Sequence, residues 1–253
     1  TVSSRPFEKP RNRRERITPE LPLAPRSMAE AAVFATLAVV SLSASACMAS
    51  LPAITARLEN MDAVLLGPGL GRSEELTRLV QAVLSVCRAP LVLDADGINA
   101  AAPHIDVLRG CACPVVLTPH DGEFLRLGGD PKAADRTQEA MRLADRTHAV
   151  LLLKGSRTVI TDGLNTYVNH TGNPGLATGG SGDVLSGILA GMIASDCAAE
   201  QDPDWGHHFF FLVCCGVYIH GLCGDLAAQR YGQRAVKAGD LIEMLKEVHR
   251  YDG

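Results

Sequence analysis

Five glycines fall between Gly172 and Gly182, and Asp183 follows them directly. Behind that aspartate, Val184, Leu185, Ile188, Leu189, Met192 and Ile193 recur at helical spacing. The glycine run is therefore expected to end on the N-terminus of a buried helix. Such an end carries unpaired N–H groups and the positive pole of the helix dipole. Glycine lets the backbone approach a ligand with no Cβ in the way. The combination suits an anion, most often phosphate. Asp183 in the first turn is open to two readings, an N-terminal cap or a base aimed at a hydroxyl beside the phosphate. Lys154, Gly155, Ser156, Arg157 and Thr158 form a second cluster. Lysine is a point charge suited to phosphate and Thr158 can hydrogen-bond a nucleotide, although an ordinary solvated hairpin would look the same locally. No GxxxxGK[ST] pattern occurs, so this is not a Walker loop. Asp94 and Asp96 could hold Mg2+ through water, or Asp96 could cap a helix from Gly97 to Ala101. His120 and Glu123 lie three apart at a helix start and can share a face; without a third ligand, zinc is disfavoured. His207, His208 and His220 read as surface or core histidines rather than ligands.

The elements that must position these groups alternate regularly. Apolar runs at 63–66, 90–93, 115–117 and 150–153 read as strands, and Val159-Ile160 with Tyr167-Val168 reads as a hairpin around Asp162-Gly163. Helical patterns fall at 73–86, 123–127, 133–147, 184–195, 207–230 and 239–249, with Ser73 as a cap of the first. Continuous apolar strands between helices mean a mostly parallel sheet covered on both faces, an α/β three-layer sandwich. The polar residues cluster where strands end, which is where open α/β sheets bind ligands.

At 253 residues with 47% apolar content, the chain can bury one large core. A net charge of −4 and 4% aromatics argue against a nucleic-acid partner. Eight cysteines without paired CxxC spacing read as buried thiols of a reducing compartment, hence a cytoplasmic location. Residues 1–28 are expected to form a flexible, basic, proline-rich arm, and 29–253 a single domain. The uncharged run 31–56 is long enough to span a bilayer, and the small residues within it allow a signal or lipid-anchor reading. Its Ala and Ser content and Pro52 favour instead a helix from Glu30 to Ala38, a strand near Val39 to Leu42, and a helix across Pro52 to Leu58. No membrane association is expected. Gly216, Gly221 and Gly224 on one helix could pack against a neighbouring copy, giving a homo-oligomer.

Five motifs occur in a telling order: GPGLG at 67–71, DADGIN at 94–99, TPHDGEF at 118–124, KGSRT at 154–158 and GNPGLATGGSGDVLSGILAG at 172–191. Together they resemble the NAD(P)H-hydrate dehydratases, a branch of the ribokinase-like superfamily. The resemblance runs from Asp62 to the DLIEML segment at 240–245. The sugar and vitamin kinases of that superfamily usually carry Asn-x-x-Glu where this chain has His120-Asp121-Gly122-Glu123, which looks like the dehydratase form.

What the resemblance implies is a ribokinase-like fold and a metabolite-repair lyase reaction. A hydrated NADH or NADPH is phosphorylated on its hydroxyl by ATP or ADP, and phosphate then leaves to restore the ring double bond. By motif position, Lys154 to Thr158, Asn173, Gly179, Gly180, Ser181 and Gly182 would line the nucleotide. Gly71, Thr118, Pro119, His120, Glu123 and Asp183 would face the hydrate, with Asp183 as the catalytic base. Glu123 would organise Mg2+ through water. An NAD(P)H-hydrate epimerase is the expected functional companion. The family's opening HKG turn, first strand, Gly-Gly-Ser loop and Gly-Ala-Gly turn are not found, so the N-terminal strand and loop are expected to be shortened. A small-molecule kinase of the same fold and a non-catalytic nucleotide-binding relative remain as alternatives.

Overall fold

The computed structural model describes residues 37–39, 51–196 and 205–248. Its centre is a seven-stranded sheet in sequential order: β1 (Leu37–Val39), β2 (Ala63–Leu66), β3 (Leu91–Leu93), β4 (Val115–Leu117), β5 (Val150–Leu153), β6 (Val159–Thr161) and β7 (Thr166–Val168). The first five strands are parallel, and β6 and β7 continue the sheet as an antiparallel hairpin. Strands β2 to β6 are buried throughout, as their unbroken apolar sequences require.

The helices are α1 (Leu51–Leu58), α2 (Glu74–Val86), α3 (Ala95–Ala101), α4 (Asp106–Arg109), α5 (Asp121–Arg126), α6 (Arg136–Thr147), α7 (Ser181–Asp196), α8 (Trp205–Tyr231) and α9 (Ala238–Val248). Side chains alternate across each strand and so feed two cores. Val64, Leu66, Leu91, Leu93, Leu117 and Leu151 face α2, α3, α5 and α6. Leu65, Val92, Val116, Leu152 and Ile160 face α7 and α8. A smaller cluster, with Cys223, Ala227, Leu241 and Met244, joins α8 to α9. Helices therefore cover both faces of the sheet, as expected for this sandwich.

Local chemistry explains most boundaries. Ser73 caps α2 by accepting from Leu76 N, and Glu74 and Glu75 fill its first turn. Asp94, rather than Asp96, caps α3, which begins two residues before Gly97. Near the N-terminus the expectation needs correcting. Leu37 and Ala38, assigned above to a helix, lie in β1, which starts two residues before Val39. Their helical propensity is overridden by pairing with Ala63 and Val64 of the sheet. The rest of the expected Glu30 to Ala38 helix, the arm 1–28 and most of the apolar run 31–56 lie outside the described residues.

Among the described residues one helix, α8, is long and apolar enough to cross a bilayer, and half of its apolar window is buried inside the protein. Gly216, Gly221 and Gly224 on it make close contacts within the chain. A Cβ on Gly216 would come within 2.7 Å of Leu189 on α7, and one on Gly221 within 2.1 Å of Thr171 Oγ1. The six described cysteines are free, and burial raises the thiols of Cys215 and Cys223 to about 11.

Candidate active site

The polar groups gather at the carboxyl ends of β2 to β5, above the edge where their chains leave the sheet. Two close approaches knit this rim together. Gly67, at φ +137, and Gly97 allow the turn after β2 to press against the start of α3. A Cβ on Gly67 would lie 1.7 Å from Asp94 O, and one on Gly97 would lie 2.5 Å from Leu66 O. Ala95, directly after Asp94, sits at φ +48, a strained conformation for a residue with a side chain. Asp96 then ties the turn down, accepting from Gly71 N at 2.9 Å and pairing with Arg72 Nε at 3.2 Å.

Lys154, the residue after β5, reaches across the rim. Its Nζ lies 3.0 Å from Asp94 Oδ1 and 3.9 Å from Glu123 Oε2. Both carboxylates are almost fully buried, whereas the lysine side chain keeps 22% exposure. Its own backbone is fixed by Lys154 N donating to Pro119 O and by Arg136 donating to Lys154 O. Arg136 also pairs with Asp121, so β4, β5 and α5 are held in one register.

His120 and Glu123 form a capping box on α5. His120 Nδ1 accepts from Gly122 N at 2.9 Å and from Glu123 N at 3.4 Å, while Glu123 Oε2 accepts from His120 N at 2.9 Å. An Nδ1 that accepts leaves the hydrogen on Nε2, which lies 3.4 Å from Glu123 Oε1. Thr118 is buried and its hydroxyl donates to Leu93 O at 3.4 Å. Pro119 is buried beside it.

The glycine run is more ordered than a bare loop. Asn173 caps a 3-10 turn, Pro174–Leu176, accepting from Gly175 N. Its amide donates to Gly224 O and to Asp225 Oδ1 on α8, at 2.8 and 2.9 Å. Gly172 N donates to Asp225 Oδ2 at 2.8 Å. Gly180 takes φ +85, and α7 begins at Ser181, three residues earlier than Val184. Asp183 is thus the third helical residue and is exposed. A Cβ on Gly182 would stand 3.7 Å from Lys154 Nζ, so the lysine ammonium faces the first turn of α7. Ser181 is buried, and its carbonyl and hydroxyl oxygens lie 3.0 and 3.2 Å from Nε2 of His220 on α8.

The rim therefore brings together Lys154, Glu123, His120, Ser181, Gly182 and, on an exposed turn, Asp183. Gly71 joins through Asp96. Asn173 turns its side chain toward α8, and Gly155, Ser156 and Arg157 are exposed beyond Lys154. Thr158 Oγ1 donates to Gly155 O, closing that turn. Among the described residues, no group of three or more His, Cys, Asp or Glu side chains gathers to hold a metal directly. Sequence reasoning missed the lysine partnership of Asp94, the anchoring role of Asp225 and the contact of His220 with Ser181. Each spans 39 to 60 residues of chain, and nothing local signals it.

The family model described as NAD(P)H-hydrate dehydratase matches residues 26–247. The chain belongs to that family. It is 46% identical over 199 residues to the bifunctional NAD(P)H-hydrate repair enzyme Nnr of Moorella thermoacetica, a match covering 77% of this chain and 36% of that protein. The chain thus spans about a third of the length of the curated relatives it matches. Its fold is similar to that of an ADP/ATP-dependent NAD(P)H-hydrate dehydratase from Bacillus subtilis, co-crystallised with ATP and Mg2+. That likeness has TM-score 0.61 and 31% identity and covers 76% of this chain and 65% of the other. A ribokinase-like superfamily protein from Enterococcus faecalis V583 is also similar, with TM-score 0.65, 26% identity, and 80% and 67% coverage. The architecture is ribokinase-like.

Proposed function

We propose that this chain dehydrates hydrated NADH or NADPH, restoring the reduced nucleotide with consumption of ATP or ADP. The observation that carries the reading is the Lys154 ammonium facing the first turn of α7, with Asp183 exposed in that same turn. A terminal phosphate fits between a point positive charge and helix N–H groups that lack intrahelical acceptors. Asp183 is then the base for a hydroxyl beside that phosphate. It takes the hydroxyl proton, the oxygen bonds to phosphorus, and the nucleotide leaves one phosphoryl group shorter. Hydroxide, a poor leaving group, has become phosphate, which departs with the C–O electron pair while the adjacent ring carbon gives up a proton to water and the ring double bond forms. Stabilising the transferring phosphoryl group is an electrostatic task, performed by Lys154 and the N–H groups of Gly180 and Gly182, while Ser181 N is engaged with Thr178 O at 3.3 Å.

The exposed residues 120–122 of the turn and Gly71 form the facing wall for the hydrate, with buried Thr118, Pro119 and Glu123 supporting it from behind. His120 Nε2 carries the ring hydrogen there, since Nδ1 is spent on the cap, and a hydrate oxygen competes for it with Glu123 Oε1 at 3.4 Å. Mg2+ would supply positive charge to the nucleotide phosphates and would be held near Glu123. Glu123 fits it only through water, because Oε2 already accepts from His120 N and lies near Lys154; magnesium tolerates this because it keeps much of its hydration. Lys154 to Thr158 and 173–182 line the nucleotide, Asn173 by shaping the loop. The bifunctional name of the longer relatives supports an epimerase as working companion.

The test mixes purified protein with chemically prepared NADH hydrate, Mg2+ and either ATP or ADP, and follows reduced-nicotinamide absorbance. A rise with one nucleotide establishes the reaction and names the donor. Asp183→Asn should cut turnover about a thousandfold while nucleotide binding persists. Unchanged turnover in that variant removes Asp183 from the mechanism, and a flat trace from folded, nucleotide-binding wild type overturns the reading.

A further inference from the structure

Helix α8 lies along the whole glycine run and contacts it at four nearly consecutive positions. Gly221 meets Thr171, Gly224 meets Leu176, Asp225 holds Gly172 and Asn173, and His220 reaches Ser181. The last contact is the one nearest the reacting end. His220 is 7% exposed, and its Nε2 lies 3.0 Å from Ser181 O and 3.2 Å from Ser181 Oγ. A carbonyl oxygen can only accept, so the hydrogen is on Nε2 and is shared between both oxygens of one residue. The hydroxyl therefore accepts from His220, and its own hydrogen is left to point elsewhere. Burial first, and the Lys154 charge as a lesser cause, hold the imidazole down at about 4, against the opposing effect of the Ser181 backbone contact. The ring is then neutral at physiological pH, as a shared single N–H requires.

We propose that His220 is a positioning residue of the anion site: it grips both oxygens of Ser181, sets the first turn of α7, and frees the Ser181 hydroxyl to donate to the phosphoryl group beside Lys154. This rests on the phosphoryl-transfer reading of the same site. Without the grip, nothing directs the hydroxyl hydrogen away from α8, and the turn that presents Gly182 and Asp183 loses its anchor to α8.

The experiment uses the full chain as wild type, His220→Leu, His220→Gln, Ser181→Ala and the His220→Leu/Ser181→Ala double variant. Affinity for ATP with Mg2+ is read by calorimetry, kcat and KM by the hydrate assay, and folding by thermal melting. Loss of one such hydrogen bond should lower kcat and ATP affinity about tenfold in His220→Leu, with hydrate KM little changed. His220→Gln, whose terminal amide can donate to the same oxygens, should recover most of the loss. The double variant should be no worse than the poorer single one, because both act through Ser181. Folded His220→Leu with wild-type kcat and ATP affinity overturns the proposal, as do losses that simply add. Should His220→Leu fail to fold, the proposal stands or falls on His220→Gln, which must keep ATP affinity within a few-fold of wild type while Ser181→Ala loses it. Wild type that binds ATP but restores no reduced nicotinamide defeats the dehydratase reading alone, and the affinity series then decides the role of His220.

Discussion

His220 makes acid stability a direct test of how its environment is built. Its ordinary value of 6.5 falls to about 4 in the folded protein, chiefly through burial. The folded state therefore resists a proton that the unfolded chain accepts. The sign follows: the contribution is fully present above about pH 6.5 and is lost as pH falls toward 4. At about 1.4 kcal/mol per pH unit, the gap is worth about 3 kcal/mol, most of it already lost at pH 4.5. For a domain of this size that corresponds to a melting point lowered by about 5–10 °C. Carboxylates contribute to acid loss as well, so the comparison is with His220→Gln, which cannot gain the proton. Urea unfolding of both proteins at pH 7.5, 6.5, 5.5 and 4.5 isolates the difference. Wild type should lose about 2–3 kcal/mol more than the variant across that range. Equal pH slopes would refute the reasoning, since they would mean that His220 takes up its proton without unfolding the site.

Three further outcomes follow from contacts at the rim. Lys154→Met leaves Asp94 buried without its 3.0 Å partner and should cost about 3 kcal/mol in urea unfolding, together with most of the ATP affinity; a stable variant with intact binding would mean the pair carries little. Gly67→Ala places a Cβ 1.7 Å from Asp94 O at φ +137, so it should destabilise by 3 kcal/mol or about that, read as a melting shift, and a neutral result would mean the turn after β2 can move away from α3. Asp225→Ala leaves Gly172 N without its acceptor and the Asn173 amide with Gly224 O as its remaining one, and should cost about 1–3 kcal/mol and weaken nucleotide binding more than it slows turnover of bound complex; equal losses in both would place Asp225 closer to the chemistry than its contacts suggest.

The local sequence determined a great deal here. Period-free apolar runs marked every strand from β2 to β6 because a sheet covered on both faces needs no polar side. Ser73 announced the start of α2 because its hydroxyl satisfies a backbone N–H within its own turn. The glycine run and the helix behind it were legible as a loop leading into a helix N-terminus because both features belong to one continuous segment. Five short motifs in order also carried the family, which the wider comparisons bear out.

Tertiary structure decided what crosses the chain. Leu37 and Ala38 look helical alone, yet pairing with β2 makes them strand, because a parallel neighbour 26 residues away supplies their hydrogen bonds. Asp94 reads as a ligand for hydrated Mg2+ until β5 brings Lys154 to it, and the cap it places on α3 reads locally as belonging to Asp96. Three glycines on α8 are legible as sites of close packing, but only the fold shows that Leu189, Thr171 and Leu176 of the same chain lie against them. His220 looked like any core histidine, and only the packing of α8 under α7 gives its single N–H two oxygens to hold. Motifs are short-range because caps and turns close within a few residues. The partners of a buried charge or donor are chosen by which elements the sheet stacks together, and no local spacing records that choice.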